Sequence, residues 1–254
     1  MSFLELFKRP CLIGAHRGSR ALYPENTLCA LEKSIGHCDF IEIDVQLSSD
    51  KILVVMHDDT LERTTNIKEL DAYKSREPYK VSDFSYEELS TLDYGSWFYS
   101  DEIKPEPLLT LKIALEFIKE NHLFINIEIK DIHNSFEDKE VISLVLQEIA
   151  ESKIKDHVLI SSFRHQYLLL SKEIQPDIPT AVLVEKKHPK NLINYLKSLR
   201  VDAYHCSDKL ADEITVGNLK STGFYVNIYT VNDPIRRQQL FDMGVNGVFS
   251  DYLE

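Results

Sequence analysis

One stretch of the chain decides how it folds: residues 11–66, CLIGAHRGSRALYPENTLCALEKSIGHCDFIEIDVQLSSDKILVVMHDDTLERTTN. It contains three short apolar runs, which are typical of buried strands when polar residues bound them. The run CLIGA leads to His16, and the run KILVVM leads to His57. The middle run, FIEIDVQL, contains Glu42 and Asp44 two residues apart. The stretch therefore predicts strands whose ends or faces carry two histidines and two acids.

The acids of this stretch share one face of their strand. Because side chains alternate in a strand, Glu42 and Asp44 point to the same side, and Glu128 and Lys130 of the run INIEIK do the same. Carboxylates are costly to bury without a compensating cation. Three acids would form an oxygen-rich site for a hard cation such as Mg²⁺ or Ca²⁺. Salt bridges with basic residues such as Arg17 explain the same spacing, and spacing alone leaves both interpretations open.

The second and third runs predict a hairpin. A parallel crossover needs a dozen or more residues, but little more than Ser-Ser-Asp separates 40–47 from 52–57. The two strands must therefore be antiparallel. With the turn near Ser-Asp, strand pairing places Glu42 opposite His57. The hairpin alone thus predicts that an acid and a histidine of the site lie side by side.

Further along the chain, strand candidates alternate with helical stretches, which favours βαβ units and a mainly parallel α/β sheet. The predicted helices are 27–36, 111–122, 138–151, 165–174, 189–199, a helix closed by Gly223, and 233–243. The strand candidates are 11–15, 40–47, 52–57, 123–130, 158–163, 180–185, 202–206, 224–231 and 247–250. There is one more strand than an eight-stranded barrel needs, and we assign the extra one to the hairpin.

Residues 66–110 interrupt this alternation. The segment is polar and irregular at first, and its later part is rich in aromatic residues. Ser85 and Glu88 fit a capping box at the start of a short helix. Long excursions in a compact domain are usually lids or binding loops. Before this segment, Asn26 is the predicted N-cap of the helix 27–36.

Composition limits the classes of protein to consider. A chain of 254 residues suits a single domain over 1–254, with no linker or repeat. The formal net charge of −12 argues against nucleic-acid and anionic-membrane partners. The N-terminus is too short and too charged for a signal segment, and no stretch predicts stable membrane insertion. The four cysteines show no CxxC pairing, so we expect reduced thiols in a cytoplasmic protein.

An ordered set of motifs resembles the glycerophosphodiester phosphodiesterase family. The motifs are AHRG, PENT, EIDVQL, VVMHDDTLERTTN, YGSWF, INIEIK, SSF, YTVND and GVFSD, and they extend over nearly the whole chain. The resemblance implies a distorted (β/α)8 TIM barrel with the hairpin and a small insertion at about 66–110. It also implies an enzyme that hydrolyses glycerophosphodiesters to an alcohol and glycerol 3-phosphate with a divalent metal cation, Mg²⁺ or Ca²⁺.

The resemblance favours metal binding by Glu42, Asp44 and Glu128, and acid/base roles for His16 and His57. A positioned acid or base typically contributes roughly 100- to 10,000-fold in rate. The other histidines are expected to be ordinary structural residues, with His205 the closest to a strand end. These are His37, His122, His133, His157, His165, His188 and His205.

Arg17 and Lys130 are the expected phosphate clamp, because both can donate to phosphate oxygens. Lys130 also fits as a counterion of the neighbouring acids. Trp97 is a candidate wall for the substrate or part of the insertion's own core. Tyr229 stands where the family usually has tryptophan, so we expect it to line the substrate site.

Two loop features have alternative explanations. Glu25 and Asn26 of PENT fit a turn and helix cap as well as substrate contact, and Arg63 fits a structural role at the hairpin exit. Two rival functions also stay open: the same barrel acting on a lysophospholipid or phosphoinositide-like head group, and an inactive barrel that only binds. The sequence predicts a small-molecule substrate and leaves the oligomeric state undetermined.

Overall fold

The computed structural model describes residues 1–253, and within them nine strands form one sheet. Numbered along the chain, the strands lie side by side in the order 1-9-8-7-6-5-4-2-3. The first strand also pairs with the second, and this pairing closes eight of the strands into a ring of parallel neighbours. The predicted (β/α)8 barrel is therefore confirmed. The strands are β1 Leu12–Ala15, β2 Phe40–Leu47, β3 Leu53–Val55, β4 Ile125–Ile129, β5 Val158–Ser162, β6 Thr180–Val184, β7 Ala203–Ser207, β8 Tyr225–Tyr229 and β9 Gly247–Ser250.

Helices connect the strands of the barrel along the chain, as the alternation predicted. Six of the seven crossovers contain one α-helix each, and the crossover from β2 to β4, which includes the insertion, contains two. Among residues 1–253, no helix combines the length and the apolar character that a bilayer crossing needs. The α-helices are α1 Phe3–Leu6, α2 Leu28–Glu32, α3 Tyr86–Leu89, α4 Leu111–Glu120, α5 Asp138–Ser152, α6 His165–Ile174, α7 Leu192–Leu199, α8 Glu213–Ser221 and α9 Pro234–Asp242.

The extra strand belongs to the hairpin and lies outside the ring. β2 pairs with β1 only near its start, at Phe40 and Ile41. The later half of β2 then pairs antiparallel with β3, from Val45 to Leu47. One long strand thus serves the barrel at one end and the hairpin at the other. The antiparallel hairpin and the assignment of the ninth strand are both confirmed.

The predicted register of this hairpin was wrong by one residue. Val45 pairs with Val55, so Glu42 does not stand opposite His57 in a ladder. The turn contains three residues, because the backbone N–H of Ser48 donates to the carbonyl of Ile52 across it. β3 also ends at Val55, and His57 follows it in a loop.

The reason for the shift is the backbone of Lys51. This residue has a φ of 67°, the left-handed conformation that completes a three-residue hairpin loop. Glycine usually marks that position, and lysine gives no such signal in the sequence. A two-residue turn was therefore expected where the chain forms a three-residue one.

The predicted N-cap of α2 was also wrong by one residue. The side chain of Thr27, not Asn26, accepts from the backbone N–H of Ala30, and the helix ends already at Glu32. Asn26 adopts a φ of 58° and turns its side chain toward the barrel. Because Asn26 does not cap the helix, its side-chain amide is free to donate to Asp44 at 2.9 Å.

Aromatic packing closes the N-terminal end of the barrel. In α1, the ring of Phe3 contacts Phe40 and Phe124 with centroids 5.6 Å away in each case. Gly14 of β1 permits this packing, because a Cβ there would lie 2.5 Å from the Phe40 ring. These aromatic side chains therefore fill the N-terminal end of the barrel.

The insertion has a hydrophobic core of its own, which includes Val54 and Met56 of the hairpin. Ser85 and Glu88 form the predicted capping box at α3. The insertion is therefore packed against the hairpin that leads to His57. The apolar residues of this core are Val54, Met56, Leu61, Ile67, Tyr79, Val81, Phe84, Leu89, Leu92, Tyr94 and Leu108.

Candidate active site

A cavity of about 500 Å³ lies at the C-terminal ends of the barrel strands. This is the end at which barrels of this architecture carry their functional loops. Its lining also includes residues that the sequence did not single out, among them Arg20 of the loop after β1 and Glu185 of the loop after β6. The predicted site residues that line it are His16, Arg17, Glu42, His57, Glu128 and Tyr229.

Three carboxylates meet at one side of this cavity. Glu42 and Asp44 come from β2, and Glu128 comes from β4, where it pairs in register with Asp44. One oxygen of each lies within 4.8 Å of the others, and all three residues are buried. Two oxygens bound to one Ca²⁺ lie at most about 5 Å apart. The donor set and its spread therefore fit a hard divalent cation.

The charges of these acids are not balanced by the protein alone. Burial, reinforced by Asp44 and Glu128, raises the pKa of Glu42 well above its ordinary value. Burial and the charge of Asp44 likewise raise the pKa of Glu128 to about 7. Burial opposes ionisation of Asp44 too, but Lys130 and Arg17 outweigh it and lower its pKa. The cluster thus holds more carboxylates than its two basic neighbours can keep ionised.

Both residues of the predicted phosphate clamp contact the acid cluster. Lys130 Nζ lies 2.7 Å from Glu128 and 3.3 Å from Asp44. Arg17 Nε lies 3.3 Å from Asp44, and the backbone N–H of Arg17 donates to Glu42 at 2.9 Å. Arg17 also lines the cavity. Lys130 is therefore a counterion of the acids, and contact between either residue and a phosphate stays a prediction.

Each of the two predicted catalytic histidines has a carboxylate partner. Nδ1 of His16 lies 2.7 Å from Asp251, and Nδ1 of His57 lies 2.6 Å from Asp58. These contacts orient the rings and leave Nε2 of each for other partners. Burial is the main cause that lowers the pKa of His16 and of His57, against the opposing effect of nearby carboxylates. Two neutral imidazoles therefore line the same cavity as the acid cluster.

Sequence reasoning did not assign roles to these two carboxylates. Asp58 follows His57 directly in the chain, so the sequence pair His-Asp could have suggested this contact. Asp251 comes from the loop after β9, at the end of the motif GVFSD. Its pKa falls to about 2, because the hydrogen bonds of His16 and Asn232 and the charge of Arg20 outweigh burial. It is therefore ionised at neutral pH.

Glu25 connects three arginines beneath the site. Its carboxylate lies 2.8 Å from Arg17, 3.1 Å from Arg20 and 2.6 Å from Arg63. These partners outweigh burial and lower its pKa to about 2. Arg63 also contacts Asp58 at 2.6 Å, so the expected structural role of Arg63 at the hairpin exit is confirmed. Glu25 is a support residue for the His57 and Arg17 loops.

The two predicted aromatic residues differ in position. Tyr229 lines the cavity and packs edge-to-face with Phe163, with ring centroids 6.1 Å apart. Trp97 does not reach the cavity lining: its Nε1 donates to the carbonyl of Tyr94, and its ring lies against the guanidinium of Arg63. The indole is fixed within the insertion, so only Tyr229 is placed to contact a ligand directly.

One of the histidines expected to be structural lies inside the barrel. His205 is fully buried on β7, and its Nε2 accepts from the side-chain amide of Asn227 at 2.9 Å. Burial lowers its pKa to about 3. It is a neutral core residue, as the sequence predicted.

Comparison with known proteins agrees with this geometry. Residues 16–254 match the model of the glycerophosphoryl diester phosphodiesterase family. The chain is 35% identical to a glycerophosphodiester phosphodiesterase of Bacillus altitudinis, over 94% of each chain. It is 31% identical to one of Bacillus subtilis, over 94% of this chain and 82% of that protein.

A solved structure is similar along its whole length. It is a phosphodiesterase from Oleispira antarctica in complex with the product sn-glycerol 3-phosphate, with a TM-score of 0.85 and 30% identity. The similarity covers 97% of this chain and 95% of that one. By its sequence and its fold, the chain belongs to the glycerophosphoryl diester phosphodiesterase family, a family of enzymes.

Proposed function

We propose that the enzyme hydrolyses glycerophosphodiesters to an alcohol and glycerol 3-phosphate, with a divalent cation and two histidines as general acid and base. One observation carries this proposal: two carboxylate-oriented histidines and three buried acids line or adjoin the same cavity. The product bound to the Oleispira antarctica relative supports the same chemistry.

Glu42, Asp44 and Glu128 are the proposed metal ligands. A hard cation prefers oxygen donors, and burial together with the neighbouring carboxylates raises the pKa of Glu42 and of Glu128, so a cation is needed to keep both ionised. When bound, a divalent cation supplies charge neutralisation at the phosphate and orients the reacting oxygens. The roles assigned to the side chains below are the same for Mg²⁺ and for Ca²⁺.

His16 and His57 are the proposed proton carriers. Hydrolysis requires that one group takes a proton from the attacking oxygen and that another gives one to the leaving alkoxide. Asp251 and Asp58 hold the two rings through Nδ1, so Nε2 is the atom that exchanges the proton. The pKa of each histidine is lowered, which makes a protonated ring a stronger acid. The two roles are interchangeable on this geometry.

Arg17, Lys130 and Tyr229 are the proposed substrate contacts. Arg17 lines the cavity and can donate to phosphate, and Lys130 adds positive charge behind it. The Tyr229 hydroxyl is buried without a hydrogen-bond partner among the described residues, as expected of a group that receives a substrate hydroxyl. In this scheme Trp97 does not contact the substrate, and its ring packs against the guanidinium of Arg63.

We also propose that residues 1–254 act as a single domain and that the enzyme is cytoplasmic. The shared core of insertion and hairpin supports the first proposal. The four free cysteines support the second, because a reducing compartment keeps thiols unpaired.

A hydrolysis screen tests the proposed function. Glycerophosphocholine, glycerophosphoethanolamine, glycerophosphoglycerol and lysophosphatidylcholine micelles are incubated with enzyme and Mg²⁺ or Ca²⁺, and the released alcohol (choline, ethanolamine or glycerol) is measured enzymatically together with glycerol 3-phosphate. The expected result is release from the glycerophosphodiesters and none from the micelles. The double variant His16→Ala/His57→Ala is the control for contaminating activity. If wild type and control release the same amount from every substrate, the proposal is wrong.

A further inference from the structure

Two exposed isoleucines stand on the face of the barrel that carries the cavity. Ile214 is 77% exposed and Ile235 is 70% exposed. They lie in the first turns of α8 and α9, which follow the C-terminal ends of β7 and β8. A single exposed apolar side chain is ordinary, but neighbouring ones on a functional face indicate an interaction surface.

The loop after β6 continues this surface and adds positive charge. It reads KKHPK, and its lysines Lys186, Lys187 and Lys190 are all exposed. In the part of the chain that the structure describes, none of the three forms an ion pair. We call these lysines together with Ile214 and Ile235 the lysine–isoleucine rim.

The loops of the rim touch one another. His188 of the lysine loop and Thr215, next to Ile214, line the same surface pocket. Arg236, next to Ile235, donates to Asp208 in the loop that leads to α8. The rim is therefore one continuous surface over β6, β7 and β8.

Three of the five acidic residues of these loops are already engaged, whereas Glu185 and Glu213 are exposed and form no ion pair among the described residues. Asp212 caps α8 by accepting from the backbone N–H of Thr215 at 2.9 Å, and Asp233 caps α9 in the same way. Asp208 pairs with Arg236 at 2.8 Å. The three unpaired lysines outnumber these two free carboxylates, so the loops present an excess of positive charge to a partner.

The opposite side of the mouth has the opposite character. In the closed ring, β7 is four strands away from β2 in both directions, so the rim lies across from the hairpin and its insertion. Residues 66–110 contain ten acidic and five basic residues. The net charge of −12 is thus unevenly distributed around the mouth.

We propose that the lysine–isoleucine rim docks the enzyme reversibly on an anionic lipid bilayer. Ile214 and Ile235 would enter the head-group region while the three lysines meet lipid phosphates. The overall negative charge does not prevent this, because salt screens charges beyond about 8–10 Å and the acidic insertion lies on the far side of the mouth. Docking of this kind is peripheral and needs no spanning helix.

Vesicle flotation of the full chain tests the proposal. The vesicles are phosphatidylcholine alone, or equal parts phosphatidylcholine and phosphatidylglycerol. We expect binding to the mixed vesicles only, and release by added salt. The variant K186Q/K187Q/K190Q should lower the partition coefficient by about 100-fold, since each lysine near an anionic surface contributes about a five-fold factor. I214S/I235S should also weaken binding.

Matched controls change the same residue types elsewhere. K153Q/K155Q/K197Q removes three lysines near the N-terminal ends of β5 and β7, and I103S removes an isoleucine of the insertion that is 86% exposed. Both should bind vesicles like wild type. All variants should hydrolyse soluble glycerophosphocholine at the wild-type rate, because no rim residue touches the cavity.

Three outcomes would overturn the proposal. The first is wild-type protein that does not float with the mixed vesicles. The second is a pair of rim variants that bind as well as wild type, or controls that lose as much binding as they do. The third is a dimer in size-exclusion chromatography that the rim variants dissociate, without vesicle binding, which would assign the surface to a second copy of the chain. None of these outcomes bears on the proposed hydrolysis.

Discussion

Nδ1 of His16 lies 2.7 Å from Oδ1 of Asp251, although 235 positions separate the two residues in the chain. His16 follows the first strand of the barrel and Asp251 follows the last, and these strands are neighbours because the ring closes. Barrel closure therefore positions one of the two proposed proton carriers. Asn232 donates to the other oxygen of Asp251 at 2.8 Å and holds the carboxylate in place.

Replacing Asp251 by Asn should reduce turnover without removing the metal. The change removes the charge that orients His16, so we expect kcat to fall by about 10- to 1,000-fold. The upper part of this range overlaps the roughly 100- to 10,000-fold contribution of a general acid or base. Metal affinity, measured by titration calorimetry, should stay within about two-fold. Asp208→Asn removes a pair with Arg236 outside the cavity and should leave kcat unchanged. Equal effects of the two variants would argue against an orienting role.

The two histidines should be separable by the leaving group. His16→Ala and His57→Ala should each lower kcat by roughly 100- to 10,000-fold on glycerophosphocholine. A nitrophenyl ester has a leaving group that needs little protonation, so it should rescue the variant that lacks the general acid and not the other. The ratio of kcat on the two substrates, measured for each variant, makes the assignment. If neither ratio differs from that of wild type, the acid is another group.

Much of this arrangement follows from local sequence. The run FIEIDVQL gives β2 its bounds, Phe40–Leu47, and strand alternation puts Glu42 and Asp44 on one face without any tertiary information. The short Ser-Ser-Asp connection requires an antiparallel hairpin. The predicted hairpin thus correctly placed His57 near the acids, although the predicted strand pairing was wrong by one residue.

What the sequence could not predict depends on tertiary contacts or on unmarked backbone geometry. Lys51 adopts a left-handed conformation that glycine or asparagine would have signalled, and this one residue shifts the register of the hairpin. Glu25 meets arginines from separate turns of the chain, and no periodic pattern connects them. Trp97 donates to the carbonyl of Tyr94 and packs against Arg63 of another loop, and its motif gives no signal of these contacts.

The stability of the metal-free protein should fall as the pH rises. The folded pKa of Glu128, about 7, lies above its ordinary value of 4.5, so the folded state binds this proton more tightly than the unfolded state. Its contribution is therefore present at low pH and is lost as the pH rises from about 4.5 through 7. Urea unfolding of the metal-free protein at several pH values should reveal this slope, and Glu128→Gln should reduce it. Identical slopes for the two proteins would contradict the pKa assignment.

Removing the charge of Glu25 should destabilise the site. The carboxylate is 4% exposed and balances three arginines, so Glu25→Gln should cost about 3–5 kcal/mol of unfolding free energy, as for other broken buried ion pairs. Glu140→Gln, which breaks an exposed pair with Lys51, should cost less than about 1 kcal/mol. Both values come from urea unfolding at neutral pH. A loss for Glu25→Gln no larger than that of the control would show that Glu25 is not a structural centre.

Hydrolysis before and after metal removal tests the central claim most directly. Wild-type enzyme is treated with EDTA, desalted, and assayed for glycerol 3-phosphate release from glycerophosphocholine, first alone and then with added Mg²⁺ or Ca²⁺. We predict no release from the metal-free enzyme, recovery with at least one of the two cations, and a weaker apparent metal affinity when Glu128→Gln is assayed in the same way. Full activity of the desalted, metal-free enzyme without added cation would contradict the assignment of Glu42, Asp44 and Glu128 as ligands of a catalytic metal.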